Sequence, residues 1–582
     1  MFEILYKDCI ARIGKLNDKL TVPNILFISS KRFKEFEGSE ALLANEEIKS
    51  DKFSILDSGS KFYPQKLKNQ EYIIPPDIPY PLSCNELLEN YCDEKICLVQ
   101  DLAKLDKNKK AEIYVVANSI ELFKSPKRFV ATITNLRDKI GYQKIIYTPS
   151  IGLPNQYALL FYLSVDLIDS LQLVLSSREN YFLTPEGKTN IEELEESICN
   201  CKYCFENDLL QHNYNIAFLE LKKIRSEIRA GKLRELVELR IRSDPALVAI
   251  LRELDYRYYD FQEPYFPITK KSLTVTSRES FFRPDILRWY KRLKERYKKP
   301  ESSKILLLLP CSAKKPYSQS KSHKIFKSAI RVKNYAVVHE VIVTSPLGIV
   351  PRELELFYPA QHYDIPVSGD WEEYEIKIVN ELLQWLVKNN HYDVIVDHTG
   401  YHFIDLEAIK TCILKPTSKE SLSRLSNVLT ELCAKYENIA QDTCAADNML
   451  TRACFQFGKP VGDKLVANCK ILGKYPNLKL IKGNEQIGIL TGERGLISLT
   501  LEGAKILADE NSYLVKIDDF VPKGNIFAGG VIDATSEIRI GDDVAAVFKN
   551  ELRAVGVATM SAKEMVESNR GIAVKVRARV RK

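Results

Sequence analysis

Near-continuous apolar runs, rather than strict alternation, mark the middle of the chain. Three of them, KILLLL at 304–309, HEVIVT at 339–344 and YDVIVD at 392–397, predict strands buried on both faces of a parallel sheet. Between the last two, Glu373 to Lys388 carries the 3.6-residue spacing of a helix. Each run ends in a polar segment, respectively PCSAKKPYSQSKSH, SPLGIVPRELELFYPAQHYDIPVSGDW and HTGYHF. Ligands of open α/β sheets sit beyond the carboxyl ends of the strands, so these three segments are expected to converge on one crevice.

Upstream, residues 1 to about 190 mix strand-like runs (Asn24 to Ser29, Ile113 to Val116, Lys144 to Tyr147, Leu171 to Leu175) with helical stretches such as Gln156 to Ser164, the alternation of an α/β domain. The proline-rich IIPPDIPYPL at 73–82 reads as a loop or crossing segment. Leu221, Ile224 and Ile228 recur among charges from Ile216 to Arg240, predicting an amphipathic helix that breaks near Gly231. A basic helix is expected around Asp285 to Tyr297. Residues 416–507 read as a smaller mixed α/β piece, and from about 512 short strands and turns predict a small β barrel. Its last strand alternates Val574, Val576, Ala578 and Val580 with Lys575, Arg577, Arg579 and Arg581, one face for the core and one basic face for solvent. The expected division is 1–240, a linker with the basic helix at 241–300, an α/β catalytic domain at 301–415, a small α/β domain at 416–507 and a small β barrel at 508–582.

With 582 residues the chain has room for several domains, and 45% hydrophobic with 28% charged residues places it among globular proteins rather than disordered ones. No apolar run approaches the roughly 18 residues of a membrane span, so a soluble, cytoplasmic protein is expected. The formal net charge of +7 matters only where it is concentrated, as in KRLKERYKK at 291–299 and in the acid-free tail at 570–582, both candidate phosphate contacts. Thirteen cysteines are scattered apart from one cluster, which fits reduced thiols plus one metal site better than disulfides.

That cluster is Cys199, Cys201 and Cys204 followed by His212. Three thiols and an imidazole within fourteen residues suit one tetrahedral zinc ion, and four protein ligands close the site, so the zinc is structural. Cys311 follows the first buried strand directly, ahead of Lys314, Lys315, Tyr317, Ser318, Ser320, Ser322 and His323. There a thiolate would be both stabilised by cations and accessible, as a nucleophile needs; the alternative is a buried structural cysteine before a solvated loop. Ser345, Arg352 and Glu353 follow the second strand, and Asp397, His398 and His402 the third. Six of the seven histidines lie between 323 and 402, which makes this domain the candidate home of acid/base chemistry. In the first domain, Asp57-Ser58-Gly59 reads as a turn, and Asp166 and Asp169 form a carboxylate pair.

These residues resemble the archaeosine synthase family, the archaeal tRNA-modifying relatives of archaeal tRNA-guanine transglycosylase. PCSAKKPYSQSKSH resembles the segment that distinguishes the synthases. The cysteine cluster is similar to the zinc site of the transglycosylases, and IFAGGVID at 526–533, GDDVAAV at 541–547 and the basic last strand resemble a PUA domain. Residues 1–240 look like a shortened, TIM-barrel-like transglycosylase domain, with Asp57-Ser58-Gly59 at the substrate side and Asp169 at the nucleophile position; Ser60-Lys61-Phe62 stands where Gly-Phe-Gln normally follows. The resemblance implies action on tRNA carrying 7-cyano-7-deazaguanine in the D-arm, turning the nitrile into an amidine by adding an amine donor. Lysine ranks first, with glutamine or ammonia as alternatives, and a partner radical enzyme would release archaeosine. In this reading Cys311 forms a thioimidate, Lys314 or Lys315 lowers the thiol pKa, and His323, His398 or His402 moves protons. Arg352, Glu353 and Asp397 bind the amino acid, with Tyr317, Ser318, Ser320, Ser322 and Ser345 around the substrate. Lys575, Arg577, Arg579 and Arg581 contact tRNA. A homodimer is implied by analogy. The alternatives are a transglycosylase inserting the deazapurine base and a noncatalytic tRNA-binding protein.

Overall fold

The computed structural model describes residues 2–32, 34–59, 67, 71–76, 89–106, 110–366 and 369–581. Two compact units emerge, Met1–Phe266 with Glu567–Gly571, and Pro267–Val566 with Ile572–Lys582. The Ser60-Lys61-Phe62 departure and residues 77–82 of the proline-rich segment lie outside the described residues.

In the first unit, eight short strands (Asn24–Ile28, Ala41–Ala44, Phe53–Asp57, Ile73–Ile74, Ile96–Val99, Ile113–Val116, Ile145–Tyr147 and Leu167–Asp169) pair in parallel. Leu167–Asp169 bonds to Asn24–Ile28, Ile73–Ile74 lies near Ile96–Val99, and Tyr91–Cys92 pairs antiparallel with Ile96–Val99, so the sheet curls on itself as a barrel without hydrogen bonds across that seam among the described residues. Period 2 sorts its side chains: Leu26, Ile55, Leu98, Val115 and Leu167 fill the interior, where Phe2, Leu16 and Leu20 of the N-terminal antiparallel strands join them. Phe27, Leu42, Val99, Val116 and Ile168 face the helices Pro126–Ile140, Pro154–Tyr162 and Leu209–Ala230. Among the described residues no helix lies between Ile28 and Ala41 or between Ala44 and Phe53, which makes the barrel a shortened one. Gly231 ends the long helix with φ of 70°, and the chain resumes as Leu233–Arg240, as the broken periodicity predicts.

The strand expected at Leu171 to Leu175 is instead the helix Leu171–Arg178, and the barrel strand is the preceding Leu167–Asp169. Short apolar runs do not distinguish a strand from a buried helical turn. Ile73–Ile74 is likewise a strand rather than loop. Ten described cysteines are free, but Cys92 and Cys97 are joined as a disulfide, against the expectation of reduced thiols alone.

The second unit is built on a five-stranded sheet in the order Gly348–Pro351, Val338–Thr344, Ile305–Pro310, Val394–Asp397, Ile409–Lys410. Ile305–Pro310 runs parallel to both neighbours, and Gly348–Pro351 folds back antiparallel on Val338–Thr344. One face carries Leu306 and Leu308 under Trp289 and Leu293 of helix Pro284–Arg296 and Leu382 and Leu386 of helix Glu373–Asn389. The other carries Ile305, Leu307 and Leu309 against Phe326 of helix Lys321–Ala329 and Leu425 and Leu429 of helix Lys419–Cys433. This burial on both faces is why the strands read as unbroken apolar runs. Beyond it come helices Gln441–Phe457 and Lys459–Val466, a four-stranded antiparallel sheet from Cys469 to Leu499, helix Leu501–Asp509 and a six-stranded sheet ending in Ile572–Arg579. The basic helix is divided: Lys291 and Lys294 are exposed, whereas Arg288 donates to the Pro267 carbonyl and Arg296 to the Gln456 carbonyl and the Tyr513 hydroxyl.

Candidate active site and metal centre

Cys311 begins the segment after strand Ile305–Pro310 and is half-buried. Its Sγ lies 3.9 Å from the Tyr401 hydroxyl, which the turn after Val394–Asp397 delivers. Burial pushes the Tyr401 phenol above its ordinary pKa, and the neighbouring thiol adds to the shift. The Lys315 ammonium sits 3.9 Å from the centre of the Tyr363 ring, and burial lowers its pKa against the opposing pull of Cys311 and Asp364. Beneath them the hydroxyls of Tyr317, Tyr363 and Thr344 bond to one another in the core. Three strand ends therefore contribute to one place: Cys311 and Lys315 from the first, Thr344 and Tyr363 from the second, Tyr401 from the third. Tyr363, Tyr401 and Trp371 were not singled out from sequence; their only signal is that they stand in the polar segments after the strands.

The candidate histidines divide. His323 has an Nε2–H that donates to the Pro310 carbonyl at 3.1 Å and an Nδ1 that accepts from Arg352 Nη2 at 2.7 Å. Burial, then the Arg352 charge, pushes its pKa down to about 3. His398 likewise donates from Nε2 to the Pro416 carbonyl at 2.8 Å and has Nδ1 2.8 Å from Thr411 Oγ1, with its pKa lowered by burial. His402 is exposed. Arg352 also holds Glu340 and Glu355, and Glu355 accepts from the Ser318 backbone N–H and the Tyr475 hydroxyl. Glu353 points elsewhere, to Tyr297 and His339, in a buried network that Tyr392 completes. Asp397 accepts from the backbone and hydroxyl of Thr399. Ser320 caps helix Lys321–Ala329 and lies 3.3 Å from Ser322 Oγ, and Ser345 donates to Glu375. Lys314 is exposed.

In the first unit the ligand atoms of Cys199, Cys201, Cys204 and His212 all lie within 4.8 Å of one another. Cys201 and Cys204 sulfurs are 3.5 Å apart, and His212 Nδ1 is 3.6 Å and 3.2 Å from them. Metal–sulfur bonds of about 2.3 Å give a tetrahedron edges close to these lengths. His212 Nε2–H donates to the Leu183 carbonyl at 3.1 Å, which turns Nδ1 toward the thiols. The four residues could hold a metal ion.

The barrel carboxylates are tied up. Asp169, at a strand's carboxyl end, accepts from Tyr147 Oη and the Ser150 and Leu171 backbone N–H groups, with its pKa raised by burial. Asp57 accepts from the Gly59 N–H, closing the turn read from sequence. Asp166 takes Arg12 and Arg137 in a buried ion pair. Lys575, Arg577 and Arg579 of the last strand and Arg581 beyond it are all exposed, but Arg577 donates to both oxygens of the buried Asp543 and Arg579 to the Pro522 carbonyl.

Residues 286–429, which include Cys311 and most of its neighbours, match a domain of unknown function, DUF5591, and residues 517–580 match the PUA domain. The archaeosine synthase subunit alpha of Methanosarcina acetivorans is 34% identical, over 81% of this chain and 80% of that one. The archaeosine synthase of Haloferax volcanii is 34% identical over 80% of this chain and 82% of its own. The tRNA-guanine(15) transglycosylase of Methanothermobacter thermautotrophicus is 29% identical over 73% of this chain and 64% of its own. With a shared third of positions along four-fifths of both chains and a PUA domain at the C-terminus, this protein belongs to the archaeosine synthase family.

Proposed function

We propose that the chain converts the nitrile of 7-cyano-7-deazaguanine in tRNA into an amidine, with Cys311 as nucleophile and lysine as the amine donor. The observation that carries this reading is the half-buried thiol at the end of the central strand, between the Tyr401 hydroxyl and the neighbourhood of the Lys315 ammonium. The Cys311 thiolate adds to the nitrile carbon; a C–S bond forms, and the displaced electron pair on nitrogen takes a proton, giving a thioimidate. The neutral amine then forms a C–N bond to the same carbon, loses a proton, and expels the thiolate. No oxidant is consumed, and the product is an N-substituted amidine. Lysine precedes glutamine because a bound amine adds directly, without a separate step to release ammonia.

Lys315 supports the thiolate, and His402, the exposed imidazole of the three candidates, exchanges protons with solvent. His323 and Arg352 hold the Cys311 segment rather than carry protons, and His398 ties the third strand's turn to Pro416. The cysteine cluster takes structural zinc, matching its sulfur-rich donor set. Labour divides among barrel and metal site at 1–240, the linking helix at 241–300, chemistry at 301–415, a small α/β piece at 416–507 and RNA binding at 508–582. The three hydrogen bonds to Asp169 favour a barrel that no longer exchanges bases.

Nucleoside mass spectrometry of nitrile-bearing tRNA, incubated with the protein and with lysine, glutamine or ammonium separately, tests the reading. A gain of one lysine, absent with Cys311→Ala, is expected; no gain with any donor overturns it.

A further inference from the structure

Beside the thiol stand three aromatic rings whose faces the chemistry above leaves unused. Trp371, just ahead of helix Glu373–Asn389, and Tyr401 and Phe403, from the turn after Val394–Asp397, are each half-buried, so each keeps part of its surface open. Tyr401 and Phe403 stack at 5.2 Å with 12° between their planes, and Trp371 packs against both at 5.1 Å and 4.9 Å. The arrangement is fixed in place. Asn380 on the helix donates to the Phe403 carbonyl at 2.9 Å and accepts from the Asp405 N–H at 3.0 Å. Gly400, at φ of 75°, makes the tight turn, and a Cβ there would meet Cys412 Sγ at 3.0 Å.

We infer that the Trp371–Tyr401–Phe403 cluster is the platform on which the flipped deazapurine base stacks, placing its nitrile edge at Cys311. This rests on the reading above, and it adds the recognition element that reading lacks. A base inside folded tRNA must leave its stack to be modified, and aromatic faces replace the stacking it gives up. The 3.9 Å between the Tyr401 hydroxyl and Cys311 Sγ keeps platform and nucleophile within the span of one bicyclic base. Lys315, held over the Tyr363 ring, is near enough to Cys311 for the two to interact electrostatically. A platform of π faces also explains why the open surface here is aromatic rather than aliphatic: it binds a flat ring without demanding its hydrogen-bonding edge.

The test uses the full chain, with free 7-cyano-7-deazaguanine and nitrile-bearing tRNA as probes. The free base is expected to quench tryptophan fluorescence in the wild type, and Trp371→Phe to lose most of that quench. Trp371→Ala and Phe403→Ala are expected to slow single turnover by about tenfold, with tRNA retention on filters unchanged, since phosphate contacts supply the affinity. A Trp371→Ala rate equal to wild type, together with no quench by the free base, overturns the platform even where the wild type converts nitrile tRNA. Quench by the free base that depends on Trp371, in a protein that converts no tRNA, upholds the platform and sinks the reaction instead.

Discussion

A histidine with both ring nitrogens engaged carries a proton through a catalytic cycle only by breaking bonds that hold the fold. His323 is in that position, donating to the carbonyl of Pro310, the residue just before Cys311, and accepting from Arg352. Its folded pKa of about 3 lies below the unfolded value of about 6.5. The unfolded chain therefore binds a proton that the folded chain refuses, and stability falls as pH is lowered between those values. From pH 7 to pH 5 this single group costs about 2 kcal/mol. We expect urea midpoints to show that loss in the wild type and less of it in His323→Gln. The variant's pH–rate profile should be lower in height with its acidic limb unmoved; an ionisation near neutral pH that disappears with the imidazole would make His323 a proton carrier after all.

At the scale of elements, a metal ion held by the Cys199, Cys201, Cys204 and His212 cluster would fasten the segment carrying the cysteines onto helix Leu209–Ala230. Ligand binding that the unfolded chain lacks adds directly to stability. About one equivalent of zinc should copurify, and Cys204→Ser should lose it and melt several degrees lower. Metal-free wild-type protein with an unchanged melting point would reduce the cluster to packing. This cluster was legible in sequence because its ligands sit within fourteen residues. So were the strands Ile305–Pro310 and Val394–Asp397, whose two-sided burial writes itself as unbroken apolar runs. Leu171–Arg178 and Gly348–Pro351 were not legible, the first because a short apolar run fits helix and strand alike, the second because it lies inside a segment that reads as polar. That residues after the strand ends come together follows from the sheet topology, yet the pairing of Tyr401 with Cys311 joins residues 90 apart, and no local spacing encodes it.

For the whole molecule, the question is which basic groups are available to a polyanion. Alternation along Ile572–Arg579 presents Lys575, Arg577 and Arg579 on one face, but the face is not uniform in use. Arg577 sits on the buried carboxylate of Asp543, which also receives the Leu499 N–H and the Arg494 guanidinium. Removing Arg577 withdraws charge-assisted bonds from a carboxylate that water does not reach, at a cost of about 2 kcal/mol. Arg577→Ala should therefore lower stability first, and any loss of tRNA affinity should be recovered where the fold is recovered, at lower temperature. Lys575 and Arg581 have exposed side chains and no such burden. Each phosphate left without its cation takes about 0.7 to 0.9 off the slope of log affinity against log salt. Lys575→Glu with Arg581→Glu should thus weaken binding most at low salt and flatten that slope by roughly 1.4 to 1.8, with melting unchanged. If the slope keeps its wild-type value, the footprint lies away from the last strand, and the exposed Lys291 and Lys294 of helix Pro284–Arg296 become the residues to reverse next.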